Sequence, residues 1–170
     1  MARPQRITLG GYVYHVLNRA NGRLRLFRKA ADFLAFERIL GEATERIGMR
    51  LCGYGLMSTH WYPLLWPPAD GDRPDFMYWL TMTHTQRYHV AHRTVGMGHL
   101  YQGRYKSFPV KDDSYYLTAL RYIEANPVRP AWRRWVGNGP GPASPSARAA
   151  PLTLDEEIPP KRLLPPLIPL

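Results

Sequence analysis

Two residues near the end of the third predicted helix could do chemistry together. Tyr122 and Asn126 are four residues apart, and residues at i and i+4 share one face of a helix. The apolar stripe of that helix passes through Tyr116, Leu120 and Ile123, which leaves Tyr122 off the stripe. A phenol held beside an oxygen ligand can attack phosphorus. In a strongly basic chain, the pair therefore indicates tyrosine-mediated phosphoryl transfer on nucleic acid.

A second pair of candidate residues lies in the middle of the chain. His60 and Tyr62 flank Trp61 at the start of a predicted strand, and alternation along a strand sends His60 and Tyr62 to one face. If that face lies against the third helix, these two side chains can meet Tyr122 and Asn126 around a divalent ion. Such an ion would polarise a phosphate under attack by the tyrosine.

Other residues of the same types offer alternatives. Tyr115 and Tyr116 are rival nucleophiles, although they lie further from Asn126. Three histidines on the second predicted helix have spacing that suits either metal ligation or a polar surface facing DNA; they are His84, His89 and His92. Because no cysteine or carboxylate supports a metal site there, the polar surface is the preferred interpretation.

These candidates must be positioned by an alternation of strands and helices. Apolar residues at period two, or at helical spacing, predict seven elements. The strands are predicted at 11–17, 49–57, 61–66 and 104–110, and the helices at 30–47, 74–92 and from 111–114 to a stop before Pro127. The second and third strands are joined by 58–60, which predicts antiparallel pairing. This order predicts an α+β fold, a ferredoxin-like antiparallel sheet of four to five strands with helices packed mainly on one face.

Charge divides the chain into two parts. The net charge is +10, and residues 137–170 hold three basic and three acidic residues, so all of the excess belongs to residues 1–136. A body with that imbalance favours an anionic partner, most often a nucleic acid. Nine of the 17 prolines fall in 137–170. We therefore expect one domain at 1–136 and a Pro-rich, flexible tail at 137–170.

Basic and aromatic residues alternate where nucleic acid could bind. The residues expected to contact phosphates are Arg19, Arg23, Arg25, Arg87, Arg104 and Lys106. The N-terminus is polar and basic, and no apolar run approaches the roughly 20 residues that a membrane span needs. We expect a cytoplasmic, nucleoid-associated protein that binds single-stranded or hairpin DNA and no membrane.

Several motifs in order resemble one known family. They lie at 14–23, 83–87, 99–110 and 121–129, and they read YHVLNRANGR, THTQR, HLYQGRYKSFPV and RYIEANPVR. Over residues 1 to 136 the chain is similar to IS200-like transposases, the HUH single-strand DNA transposases. The closest branch is that of the REP-associated tyrosine transposases. Because relatives include dimers that share active sites and forms that act alone, the resemblance leaves both a monomer and a homodimer open.

The resemblance implies roles for individual residues. Tyr122 corresponds to the nucleophile, which cleaves single-stranded DNA near a hairpin and leaves a 5′-phosphotyrosine link. His60 and Asn126 correspond to ligands of Mg²⁺ or Mn²⁺. Tyr62 occupies the position of a second histidine, where a neutral phenol is a weaker ligand than imidazole. The alternative hypothesis is a catalytically weakened relative that binds structured nucleic acid without cutting it.

Overall fold

The computed structural model describes residues 9–110 and 112–125, with the side chains at 113, 120 and 122–125 excluded from the description. Asn126 and the predicted tail at 137–170 lie outside the described residues. The elements in chain order are strand β1 (Tyr14–Arg19), helix α1 (Ala30–Ile47), strands β2 (Arg50–Met57) and β3 (His60–Trp66), helix α2 (Asp72–His92), strand β4 (Lys106–Pro109) and helix α3 (Asp113–Ala125). In the described part, no helix is long and apolar enough to cross a membrane.

The four strands form one antiparallel sheet in the order β2-β3-β1-β4. Strand β3 lies between β1 and β2, the arrangement of a split βαβ unit, so the predicted ferredoxin-like α+β class is confirmed. Strand β4 is an edge strand, as its Pro109 predicted, because proline cannot donate to a further strand. It is shorter than predicted, and β1 begins three residues later than predicted.

Helix α1 forms where its apolar spacing predicted. Its buried stripe includes Phe36, Ile39 and Ala43. The Asp32 carboxylate accepts the backbone N–H groups of Arg28 and Lys29 at 2.9 and 3.2 Å and so fixes the first turn.

Helix α2 differs from the prediction at both ends. It begins at Asp72, so Pro74 lies within the first turn, where a missing N–H costs little. It ends at His92, and Arg93 takes a left-handed conformation with φ 54°, three residues before Gly96. The glycines at 96 and 98 therefore follow the helix end rather than cause it.

The sheet has a different helix layer on each face. Helices α1 and α2 pack together over the face that presents Tyr14, Val16 and Trp61, and this side contains the larger core. Helix α3 packs against β2 on the other face, where Tyr62 and Leu64 are buried. Two of the three helices thus share a face, and the third covers part of the opposite one.

Candidate metal-phosphate site

His60 opens β3 on the face covered by α3. It pairs across the sheet with Arg19 of β1, and its Nδ1 lies 3.2 Å from the Thr59 hydroxyl oxygen. If Nδ1–H donates to that oxygen, Nε2 keeps its lone pair for a metal ion. Burial lowers the pKa of His60, and the charge of Arg19 lowers it further. The imidazole is therefore neutral at pH 7, the form that binds metal.

Tyr62 is a packed residue on the same face. Only 2% of it is exposed, and its ring lies 6.0 Å from the ring of His60 and 6.0 Å from that of His15. Its cross-strand partner is Gly55, and a Cβ placed on Gly55 would lie 2.4 Å from ring atoms of Tyr62. The missing side chain at Gly55 provides the space in which the tyrosine ring lies.

Helix α3 reaches this face through two described residues. Ala119 is buried in the same cluster as Tyr62, and Tyr116 packs against that cluster. Tyr122 follows Ala119 by three residues, within α3, and its side chain lies outside the described atoms. The third helix therefore lies against this face at Tyr62, whereas the approach of α3 to His60 and the position of the Tyr122 hydroxyl stay predictions.

A basic pocket adjoins His60 at the end of β1. It has a volume of about 240 Å³, and its lining residues are Leu17, Asn18, Arg19, His60, Gln102, Arg104 and Lys106. The Gln102 backbone N–H donates to the Arg19 carbonyl at 2.9 Å and so attaches the loop before β4 to β1. Three cationic side chains line this pocket, one from β1 and two from the segment 104–106, an arrangement suited to a phosphate group.

The other predicted DNA contacts lie elsewhere. Arg23 and Arg25 are exposed on the connection between β1 and α1. Arg87 lies on α2, where its guanidinium donates to both carboxylate oxygens of Glu42 at 2.8 and 2.7 Å. Arg19, Arg104 and Lys106 are thus the predicted contacts that the fold brings together with His60.

The three histidines of α2 do not lie together on one polar surface. His84 is buried, and its Nδ1 lies 2.5 Å from the Tyr101 hydroxyl. His92 contacts the Asp32 carboxylate at 3.3 Å, and His89 contacts the Thr94 hydroxyl at 2.8 Å. The prediction was wrong for His84, because its hydrogen-bond partner comes from a loop 17 residues later, which spacing within the helix cannot indicate.

Sequence reasoning also missed residues at the site. His15 is half-buried on the His60 face, and burial lowers its pKa. Its alternation with Val13 and Leu17 was the available signal, since those two residues also belong to this face. Asn18 and Gln102 line the basic pocket, and only the pairing of β1 with its neighbours could have placed them there.

Two of the predicted metal ligands, His60 and Tyr62, lie among the described residues. His60 offers one imidazole nitrogen, and Tyr62 offers a neutral phenol directed over Gly55. Among the side chains that the structure describes, no three histidine, cysteine or carboxylate groups cluster as a metal site. Mg²⁺ and Mn²⁺ prefer oxygen ligands, so the residues would fit a weakly held ion of this type if Asn126 adds its oxygen, with His60 as the one nitrogen ligand.

Comparisons with known proteins agree with this fold. A chain described as a REP-associated tyrosine transposase bound to a REP hairpin aligns with a TM-score of 0.60 and 15% identity, over 75% of this chain and 73% of that one. A protein from Deinococcus radiodurans R1 described as a transposase aligns with a TM-score of 0.52 and 20% identity, over 73% of this chain and 95% of the other. At these identities the likeness concerns the fold.

A sequence comparison identifies the family. No curated protein matches the chain significantly. The family model described as "Transposase IS200 like" matches residues 8–126, which include His60, Tyr62, Tyr122 and Asn126. The match covers well over half of the chain, and the chain belongs to the IS200-like transposase family.

Proposed function

We propose that this transposase cuts and rejoins single-stranded DNA beside a hairpin, with Tyr122 as the nucleophile. The observation that carries the proposal is the packing of α3 on the sheet face that bears His60 and Tyr62. Ala119 shares a cluster with Tyr62, and Tyr122 follows Ala119 by one helical turn. The basic pocket adjoins His60 and would hold the phosphate next to the scissile one.

The reaction exchanges one phosphate ester for another. The Tyr122 phenolic oxygen forms a bond to the scissile phosphorus, and its proton passes to solvent. The bond from phosphorus to the 3′-oxygen breaks, and that oxygen leaves as a hydroxyl after taking up a proton. The 5′-phosphate remains on the tyrosine. Because one ester replaces another, rejoining needs no ATP.

The remaining groups would orient the DNA and neutralise the negative charge of its phosphates. A Mg²⁺ or Mn²⁺ ion held by His60 and Asn126, with Tyr62 as a weak further ligand, would polarise the scissile phosphate. Thr59 would fix the His60 ring by accepting from Nδ1. Arg19, Arg104 and Lys106 would bind the DNA backbone. A hairpin is the proposed substrate because the fold is similar to that of a protein bound to a REP hairpin.

One observation favours a second candidate function. Tyr62 is buried over Gly55 and presents a phenol where the resemblance implies an imidazole. A site with one good ligand fewer would bind metal weakly, and the protein would then bind hairpin DNA without cutting it. The two functions differ in whether a covalent adduct forms.

The test uses a hairpin oligonucleotide selected for binding from a pool with randomised stems and flanks. The labelled hairpin is incubated with Mn²⁺ and either wild-type protein or one of three variants: Tyr122→Phe, Tyr62→His and Tyr115→Phe. The proposal expects an adduct resistant to denaturant with wild type and Tyr115→Phe, none with Tyr122→Phe, and more with Tyr62→His. An adduct only with Tyr62→His would support the binding function. An adduct that persists in Tyr122→Phe would refute the assignment of the nucleophile.

A further inference from the structure

A second cavity lies on the other side of β1 from His60. It is an open groove of about 630 Å³ between α2 and the loop 98–105, and we call it the base groove. Its volume lies within the range of small-ligand sites. The residues used below are Asn18, Tyr78, Thr81, Met82, Thr85 and Gln102, all of which line it.

The α2 wall of the base groove is apolar and exposed. Tyr78 is 70% exposed, and Met82 lies one turn further along the same helix and is also exposed. The Thr81 and Thr85 hydroxyls donate to carbonyls of their own helix, at 2.7 Å from Met77 and Thr81 respectively. This wall therefore offers an aromatic face and methyl groups, the surface on which an unstacked base can lie.

The floor of the base groove contains one buried polar side chain. Asn18 is 4% exposed, and its Oδ1 accepts the Arg19 backbone N–H at 3.0 Å. That bond identifies the oxygen of the amide, because only an acceptor can face an N–H group. The NH₂ group is the part of Asn18 left for a ligand, so this side chain offers donors.

The base groove and the basic pocket are continuous around the end of β1. Asn18, Gln102 and Arg104 line both cavities. Arg19 and Lys106 line only the basic pocket and Tyr78 lines only the base groove, while the two amides and Arg104 lie where the cavities meet. A phosphate beside a stacking surface is the pattern of one nucleotide of a single strand.

We propose that the base groove binds one unpaired nucleobase of the DNA strand whose phosphate lies in the basic pocket. Tyr78 stacks on the base, and the Asn18 NH₂ donates to an acceptor on its edge. The site thus reads one nucleotide in the single-stranded flank of the hairpin. This inference rests on the proposed function, since it takes the same hairpin DNA as its ligand.

The first test is an abasic scan of the flanks. The hairpin selected from the randomised pool is prepared with each flanking nucleotide replaced in turn by an abasic site, and Kd is measured by fluorescence anisotropy. One position should weaken binding by about tenfold, as expected for loss of a single stacked base, while the other positions change it little. Equal effects at every flank position would overturn the proposal.

The second test couples that position to the protein. Tyr78→Ala should weaken binding of the intact hairpin by a similar factor, and in this variant the critical abasic site should weaken binding no further. Tyr78→Phe keeps the ring, so it should retain wild-type affinity for the intact hairpin and the wild-type loss of affinity at the abasic site. Val90→Ala, at a residue of α2 that is 71% exposed and lies outside the groove lining, is the matched control and should change neither. A full abasic penalty in Tyr78→Ala would contradict stacking on this residue.

A third variant tests the edge contact. Asn18→Asp keeps the acceptor for Arg19 but replaces the NH₂ donor with an oxygen. The order of preference among the four bases at the critical position should change, and an unchanged order would remove Asn18 from recognition. If the protein binds the hairpin and forms a Tyr122 adduct but no abasic position has a specific effect on Kd, the base-groove proposal alone is refuted. If the protein does not bind the hairpin even at low salt, both this inference and the proposed function are refuted.

Discussion

At the scale of single residues, position 62 shows how the site departs from two imidazoles on one strand. The Tyr62 ring fits because Gly55, directly across the sheet, has no side chain. A histidine at 62 would be smaller and would leave part of this space open. The Gly55–Tyr62 pair is therefore a packing unit at the position where the resemblance implies a second histidine.

This packing predicts a coupled stability effect. Gly55→Ala places a methyl group against the buried Tyr62 ring and should lower the free energy of unfolding by about 1–3 kcal/mol, the usual cost of overpacking. In a Tyr62→His background the same change should cost less, because the smaller ring leaves room. Urea denaturation of the four proteins gives the coupling energy. Equal costs in both backgrounds would mean that the ring is not what the methyl group meets.

Sequence alternation placed His60 and Tyr62 on one face but did not find Gly55. The turn was predicted as 58–60, whereas the structure has a two-residue turn and pairs Met57 with His60. A difference of one residue in turn length changes every cross-strand partner, since the loop fixes the register of a hairpin. The partner of Tyr62 therefore needed the structure.

At the scale of elements, one hydrogen-bonded chain joins a strand, a loop and a helix. The Trp61 Nε1–H donates to the Tyr101 oxygen at 3.0 Å, and the Tyr101 hydroxyl contacts His84 Nδ1. Burial raises the pKa of Tyr101, so its hydroxyl stays protonated. This O–H group donates a hydrogen bond to Nδ1 of His84. These two hydrogen bonds hold the loop that carries Gln102 and Arg104 against α2 and β3.

Burial of His84 predicts loss of stability in acid. The pKa of His84 falls from 6.5 to about 3, chiefly because of burial, with a smaller lowering by His92 and an opposing effect of Asp32. Between these values the unfolded chain binds a proton that the folded chain does not, so the free energy of unfolding falls as pH falls. The contribution approaches about 1.4 kcal/mol per pH unit.

The measurement is chemical denaturation between pH 7 and pH 4. His84→Gln cannot take the proton, so it should be less stable than wild type at pH 7 but lose less stability toward pH 4. The difference between the two proteins should therefore shrink as the pH falls. Parallel curves for the two proteins would contradict a neutral buried imidazole at position 84.

Helical spacing predicted the extent of α1 and most of that of α2 but not this series of hydrogen bonds. Phe76, Leu80, His84 and Tyr88 recur at four-residue spacing, so His84 lay on the apolar stripe in the sequence. Its partner Tyr101 lies in a loop, where no periodicity of the sequence indicates which way a side chain points. Periodicity can place a residue on a face, but it cannot name a partner from another segment.

At the scale of the whole molecule, part of the positive charge lies together at one end of the sheet. Residues 1–136 carry all of the net +10, and the register of β1 with β3 and β4 brings Arg19 and Lys106 to the end of the sheet where His60 lies. The sequence predicted the charge and the anionic partner. The point where the cations converge depends on the pairing of β1 with β3 and with β4, which composition does not contain.

This location predicts which cations control salt dependence. Arg104→Gln and Lys106→Gln should each weaken binding of the hairpin flank and reduce the slope of log Kd against log salt by about 0.7, the value for one single-strand phosphate contact. Arg38→Gln is the control, because Arg38 is exposed on α1 in the opposite layer. Arg87→Gln, at a residue paired with Glu42, tests the contact predicted on α2. Equal slopes for all four variants would mean that the basic pocket does not bind the backbone.

The most direct test of a shared sheet–helix site is an anomalous-scattering map of crystals soaked in Mn²⁺. A peak is predicted at His60 Nε2, since Nδ1 faces Thr59, with the Asn126 amide oxygen at ligand distance and the Tyr122 hydroxyl facing the same ion. A peak away from His60, or a Tyr122 hydroxyl directed to another part of the molecule, would contradict the proposal that strand β3 and helix α3 together form the cleavage site.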